Sequence, residues 1–273
     1  MAHEALLLAH RLTKSFGGVM AVNDVSFNVY RGEILALIGP NGAGKTTMFN
    51  LVSGTHRLDQ GDVFFAGQRI SGLRPSKVAA QGVVRTFQNL QIFDNMTVLE
   101  NVMVGCHLQG KTGMLAAALR WPGTAVEEAR LRELALNYLD WVGLAHLADS
   151  SATSLPYGRQ RLVELARALA AQPKVLLLDE PAAGLTRTEA EALNELIGRI
   201  RDSGITVFLV EHDMNLVMGI ADRIIVLHYG IKIAEGTPVE VQGNTAVIEA
   251  YLGTDWQIKH RPAHNDEMVV ENA

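Results

Sequence analysis

Glu33-Ile-Leu-Ala-Leu-Ile-Gly39-Pro-Asn-Gly-Ala-Gly-Lys-Thr-Thr47 sets an apolar run against a glycine loop, and Met48, Phe49, Leu51 and Val52 follow at helical spacing. The run reads as a buried strand, and the segment after the loop reads as a helix closed by Gly54. Between them, residues 39–46 fit G-x-x-x-x-G-K-[ST]. Glycines let backbone N–H groups turn inward around a phosphate chain, and the helix start adds its positive end. Lys45 supplies a mobile charge and Thr46 a hydroxyl for Mg²⁺. A glycine-rich turn of chance composition is the competing reading. The strand before and the helix after favour phosphate binding, so Gly39, Pro40, Asn41, Gly42, Ala43, Gly44, Lys45, Thr46 and Thr47 form the candidate nucleotide loop.

The totals bound what surrounds this loop. A chain of 273 residues can hold one large α/β unit with an inserted lobe. Hydrophobic residues make up 48% and charged residues 19%, with a net charge of -5. That balance indicates a globular protein and disfavours a whole-surface attraction to nucleic acid. Cys106 is the single cysteine, which excludes an internal disulfide framework and reads as a small core residue. Apolar runs such as Val175–Leu178 and Ile205–Val210 stop at Asp179 and Glu211, short of the roughly 20 residues a membrane helix needs. The N-terminus lacks the pattern of a secretory signal, so a cytoplasmic location is expected.

Outward from the loop, Leu6–Leu8, Val19–Val22 and Val25–Val29 read as short strands with an antiparallel start, and residues 62–65 and 68–70 as a hairpin around Ala66-Gly67. From about 95 to 160 the pattern turns helical, with Leu131, Leu134, Tyr138, Trp141 and Val142 on one face. This is the candidate inserted helical subdomain. The alternation that follows, with strands at 174–178 and 205–210, favours a parallel sheet covered on both faces. Residues 223–227 and 231–234 read as a terminal hairpin, and 254–273 as a polar tail outside a unit spanning 1–253. Glu127, Glu128, Arg130 and Arg132 read as a solvated helix face.

Two further stretches carry chemistry. Leu176-Leu-Leu-Asp179-Glu180 delivers two acids at a strand's carboxyl end, where Asp179 can hold Mg²⁺ and Glu180 can face an attacking water. Ser154-Leu-Pro-Tyr-Gly-Arg-Gln-Arg161 begins a helix whose apolar face is Leu162, Leu165, Ala166 and Leu169, with Gly158 at an end suited to an anion.

Taken together, these motifs resemble those of ATP-binding cassette ATPases, over nearly the whole chain up to about Gly253. The resemblance implies a mixed sheet with helices on both faces, an N-terminal antiparallel β subdomain and an inserted helical subdomain. It implies that Leu155, Pro156, Tyr157, Gly158 and Arg159 stand in place of the family's signature and face the γ-phosphate of ATP held by a second subunit. It also implies that Phe16 stacks on adenine, that Gln88 senses metal or water and links to the membrane partner, and that His212 contacts the γ-phosphate. Here Pro156 replaces a serine, and Thr186 stands where an aspartate is usual; Thr186-Arg-Thr-Glu189 is still a capping-box pattern.

Finer features are similar to the ATP-binding subunits of branched-chain amino-acid importers: Gly82-Val-Val-Arg-Thr-Phe-Gln88, Leu155–Arg161, Pro181-Ala-Ala-Gly-Leu185, Ile248–Gly253 and an insert near 111–121. That likeness implies ATP and Mg²⁺ as cofactors and two membrane permease subunits as partners. It further implies a second ATPase or a self-dimer, a periplasmic solute-binding protein acting indirectly, and a peripheral place on the cytoplasmic face of the bacterial inner membrane. A groove near Gln88 and Phe93 would carry a permease helix. The alternatives are a soluble cassette ATPase and a regulatory nucleotide sensor of low turnover; a nucleic-acid-binding module fits the acidic balance poorly.

Overall fold

The computed structural model describes residues 5–86, 90–109 and 124–252. Gln88, the insert at 111–121 and the tail at 254–273 lie outside the described residues.

The chain opens with β1 (Ala5–Phe16) and β2 (Val19–Tyr30), an antiparallel pair. Three short strands were expected here and two long ones form. Register shifts between Ala9 and Leu12 absorb the polar interruptions: Arg11 and Asp24 take left-handed backbone angles opposite one another, and Arg11 Nε reaches Asp24 Oδ1 at 2.8 Å. With β4 (Gln60–Phe65) and β5 (Gln68–Arg69) the pair makes a four-stranded antiparallel sheet in the order β2-β1-β4-β5.

β3 (Ile34–Ile38) leaves that sheet for a second one and runs into α1 (Lys45–Val52). α2 (Pro75–Gln81) and β6 (Val83–Arg85) follow, then α3 (Val98–Gly105), α4 (Thr124–Trp141) and α5 (Tyr157–Ala170). Next come β7 (Val175–Asp179), α6 (Arg187–Asp202), β8 (Thr206–Val210), α7 (Met214–Ile220), β9 (Arg223–His228) and β10 (Ile231–Gly236), and short helical segments at Pro238–Gln242, Thr245–Val247 and Ile248–Leu252 follow. The second sheet has the order β10-β9-β3-β8-β7-β6, parallel except for β10, so it is mixed.

Its central strands are apolar at every position because both faces are covered. Leu176, Leu178, Val207 and Leu209 pack against α3, α4, α5 and α6, whereas Leu177, Phe208, Val210 and Leu37 pack against α1 and the antiparallel sheet. The buried stripe of α4 runs through Ala135 and Leu139 and on to Val142 just past the helix end, with Leu131, Leu134 and Tyr138 at its margin. Trp141, expected on that stripe, is 38% exposed, since the helical repeat turns it away from Leu139. Cys106 is buried, and burial pushes its thiol up to about 11.

Thr186 does begin a helix. Its Oγ1 accepts from the Glu189 amide while the Glu189 carboxylate accepts from the Thr186 amide at 2.9 Å. Thr186→Ala removes this cap and is expected to lower stability by about 1 kcal/mol in urea titration.

Candidate nucleotide site

Sheet register assembles the site. β8 lies between β3 and β7, with Leu37 opposite Val210 and Val210 opposite Asp179. Because the three strands are parallel, Gly39, Glu180 and Glu211 all leave the sheet at one carboxyl edge, the place where open α/β sheets bind ligands.

The loop from Gly39 to Gly44 is shaped by backbone packing. A Cβ on Gly39 would lie 2.2 Å from the Leu227 carbonyl oxygen, and one on Gly44 would lie 2.3 Å from that of Ala21. Both residues have positive φ, and Gly44 caps α1 without a side chain, so the first amides of that helix stay open to a ligand. Lys45 is folded back over the loop: only 7% exposed, its Nζ donates to Gly39 O at 2.7 Å and Pro40 O at 3.1 Å. Burial lowers the pKa of this ammonium, and the nearby Glu180 and Asp179 carboxylates partly oppose that. Its carbonyl partners are neutral, so an ionised phosphate is the stronger acceptor and can take it over. Asn41, Gly42 and Thr46 are exposed and Thr47 is half-buried.

Asp179 is fully buried at the end of β7. Its Oδ2 accepts from Arg85 Nη2 at 2.7 Å, and its Oδ1 has no hydrogen-bond partner among the described residues. Burial raises the pKa of this carboxyl, outweighing the opposite pull of Arg85. Glu180 follows with φ 48, a left-handed angle unusual for a non-glycine residue, and its amide donates to Val210 O at 2.9 Å. The turn thereby lifts the Glu180 side chain off the strand axis into a half-exposed position.

Two residues beyond the sequence expectations complete this edge. Arg85, at the end of β6, also holds Asn50 Oδ1 at 2.6 Å and so ties α1 to the carboxylate strand. Glu211, 2% exposed, accepts from the Ala182 amide at 2.9 Å and the His212 amide at 3.1 Å, with His212 Nδ1 at 3.7 Å. It thus clamps the loop after Glu180 to the loop bearing His212, whose side chain is 59% exposed. An acid directly after an apolar strand was the available signal for Glu211. Arg85 gave none, because its partner is 94 residues away.

Phe16 ends β1 with 44% exposure, which rules out plain core burial; His56 meets its ring edge-on at 5.4 Å, and Lys14 Nζ lies 5.3 Å from the ring centre. At the start of α5, Leu155 is buried, Pro156 caps the helix with no side-chain hydrogen bond, and Tyr157 and Arg159 are exposed. A Cβ on Gly158 would meet Glu189 Oε1 at 2.5 Å, and one on Gly184 would meet the Tyr157 ring at 3.0 Å. The tip therefore packs against the loop that follows Glu180. Among the described residues, no hydrogen bond joins residues 155–159 to residues 39–47. Among the described residues no helix is long and apolar enough to cross a membrane.

The family described as "ABC transporter" matches residues 22–183, and that described as "Branched-chain amino acid ATP-binding cassette transporter" matches residues 232–256. The chain is 44% identical over 251 residues to the high-affinity branched-chain amino acid transport ATP-binding protein LivG of Escherichia coli (strain K12), covering 92% of this chain and 98% of that one. Its structure is similar to the ADP conformation of MJ1267, an ATP-binding cassette of an ABC transporter, with TM-score 0.80, 33% identity and coverage of 92% and 99%. It is also similar to the dimeric structure of MJ0796, a bacterial ABC transporter cassette, with TM-score 0.71, 27% identity and coverage of 85% and 98%.

Gly44→Ala is expected to cost more than Gly42→Ala in urea titration, since position 42 has open space around its Cβ and pays only for a positive φ, about 1–2 kcal/mol. Arg85→Met leaves the buried Asp179 carboxyl without its cation and is expected to cost about 3 kcal/mol near neutral pH. The Asp179 pKa is already raised and would rise further. The unfolded chain releases this proton at about pH 4, so stability is lost as pH climbs above that value, and the deficit against wild type is smaller at about pH 4 than at about pH 7.

Proposed function

The chain belongs to the ABC transporter family, and we propose that it is the ATP-hydrolysing subunit of an importer for branched-chain amino acids. The observation that carries this reading is the single edge on which the Gly39–Thr47 loop, Asp179-Glu180 and Glu211-His212 converge. The 44% identity to a branched-chain amino acid transport ATP-binding protein over nearly its full length supports the solute class.

In this mechanism the loop amides and the start of α1 take the phosphate chain, and Lys45 exchanges its carbonyl partners for phosphate oxygens. Phe16 offers an exposed ring face for the adenine base. The unpartnered Asp179 Oδ1 and the exposed Thr46 hydroxyl suit Mg²⁺, with Gln88 as a further ligand or sensor. When bound, the ion neutralises charge on the phosphates. Glu180 orients and deprotonates the attacking water, and His212, held by Glu211 through its backbone amide, faces the γ-phosphate.

The α5 tip, Leu155 to Arg159, has no bond to its own chain's loop. Its open amides and dipole instead suit the triphosphate of a second ATPase subunit, in a self-dimer or with a distinct partner. Pro156 supplies no hydroxyl there, so the contact rests on the Tyr157 and Gly158 amides and on Arg159. ATP closes the pair and hydrolysis reopens it. That motion is passed to two permease subunits at the cytoplasmic face of the membrane, one of them seated near the exposed Phe93, while a periplasmic binding protein delivers solute.

Glu180→Gln tests the chemistry. The variant is expected to bind ATP and to dimerise, with ATPase kcat lowered about 100-fold or more; wild-type turnover contradicts the role. Lys45→Ala is expected to weaken ATP binding itself in calorimetry. Copurification with two permeases from membranes is the result expected of an importer subunit, and recovery of a soluble ATPase without membrane partners would overturn that assignment.

A further inference from the structure

Beyond the amides at its tip, α5 carries a connected chain of polar side chains. Tyr157, Arg161, Glu164 and Arg167 recur at helical spacing and share one face. Arg161 Nε donates to Tyr157 Oη at 3.1 Å, and the guanidinium lies 5.5 Å from the Tyr157 ring centre. Arg161 Nη1 donates to Glu164 Oε2 at 3.1 Å, and Glu164 Oε1 stands 4.0 Å from Arg167 Nη2. Arg167 Nη2 in turn donates to the Gln91 carbonyl oxygen, and its guanidinium lies 5.2 Å from the Phe93 ring centre.

Stability alone does not explain this arrangement. Arg161 and Glu164 are 6% and 3% exposed, and apolar residues of similar volume would serve a core position as well or better. What the groups do is connect. One end is the exposed Tyr157, whose ring fills the space at Gly184 on the loop after Glu180. The other is the Gln91–Phe93 segment, beside an open groove lined by Thr86, Val104, Gly105, Glu164 and Arg167. The two ends are ten residues apart on the helix, about 15 Å.

The Arg167 end lies between two acceptors. The 4.0 Å separation from Glu164 exceeds the about 2.7–2.9 Å of a charge-assisted hydrogen bond. Arg167 Nη1 is buried without an acceptor among the described residues. Arg167 Nη2 thus stands between the Gln91 carbonyl it holds and the Glu164 carboxylate, where an acceptor entering the groove would compete for the same guanidinium.

We infer that Arg161, Glu164 and Arg167 are positioning residues, a relay that sets the Tyr157 tip according to what Arg167 meets at the Gln91–Phe93 segment. This rests on the reading of the α5 tip as a contact for ATP. Its distinct content is that Tyr157 and Arg167, which do not touch, act as one unit through Glu164.

A double-mutant cycle in the assembled transporter tests it. Tyr157→Phe and Arg167→Lys are made singly and together, and ATPase kcat and KM for ATP are measured with Glu164 intact and with Glu164→Gln. With Glu164 intact, the double variant is expected to deviate from the product of the single effects on kcat by at least about threefold, above the roughly twofold scatter for independent sites. KM is expected to stay unchanged. In the Glu164→Gln background the two effects are expected to multiply. Effects that multiply with Glu164 intact overturn the relay, as does a deviation equally large without the carboxylate. If Glu164→Gln does not fold, Arg161→Lys serves as the interrupted background. Failure of the wild-type assembly to hydrolyse ATP would overturn the functional reading itself, whereas hydrolysis with independent effects removes the relay alone.

Discussion

The close approach of Gly39 and Gly44 to the carbonyl oxygens of Leu227 and Ala21 is the constraint on which the rest of the site depends. It locks the phosphate loop between the two sheets, since Ala21 belongs to β2 and Leu227 to β9. A loop anchored only at its own ends would lose its amides to solvent or to one another. Packed this way, the loop keeps its inward curve and α1 begins at a residue that blocks none of the helix's first donors. The antiparallel sheet thus does more than cover the core: it presents Phe16 and holds one wall of the loop.

Charge burial supplies the second layer of order. Asp179 and Glu211 are both fully or nearly fully buried carboxyls whose pKa values burial raises, and each is retained by specific donors. Arg85 gives Asp179 one partner and leaves the other oxygen open. Backbone amides give Glu211 two, so that it joins the loops carrying Glu180 and His212. Uncompensated buried carboxylates are costly. Their presence at the edge where the Gly39–Thr47 loop ends fits the nucleotide site proposed above better than a core optimised for stability.

The legible part of this protein was its local part. The strand–glycine loop–helix unit from Ile34 to Val52, the Asp179-Glu180 strand end, the Thr186 cap and the two hairpins depend on residues near in sequence, and each of these elements forms where the local pattern places it. Long-range features were hidden. Arg85 and Asp179 are separated by 94 positions, and only the β6–β7 pairing brings them together. β1 and β2 looked like three strands because Arg11 and Asp24 interrupt the apolar pattern, yet a bulge absorbs both. Trp141 was misplaced because one aromatic on an amphipathic helix satisfies the pattern almost as well as its neighbours do. Its 38% exposure shows which side of the stripe it occupies.

The central claim is that one chain holds a triphosphate on its loop and completes another's with the tip of α5. A photoreactive side chain introduced at position 157, in an assembled complex held with ATP by Glu180→Gln, measures this directly. The account predicts an ATP-dependent adduct on the phosphate loop of the opposing ATPase subunit. Adducts confined to the chain's own residues, with or without ATP, would contradict it.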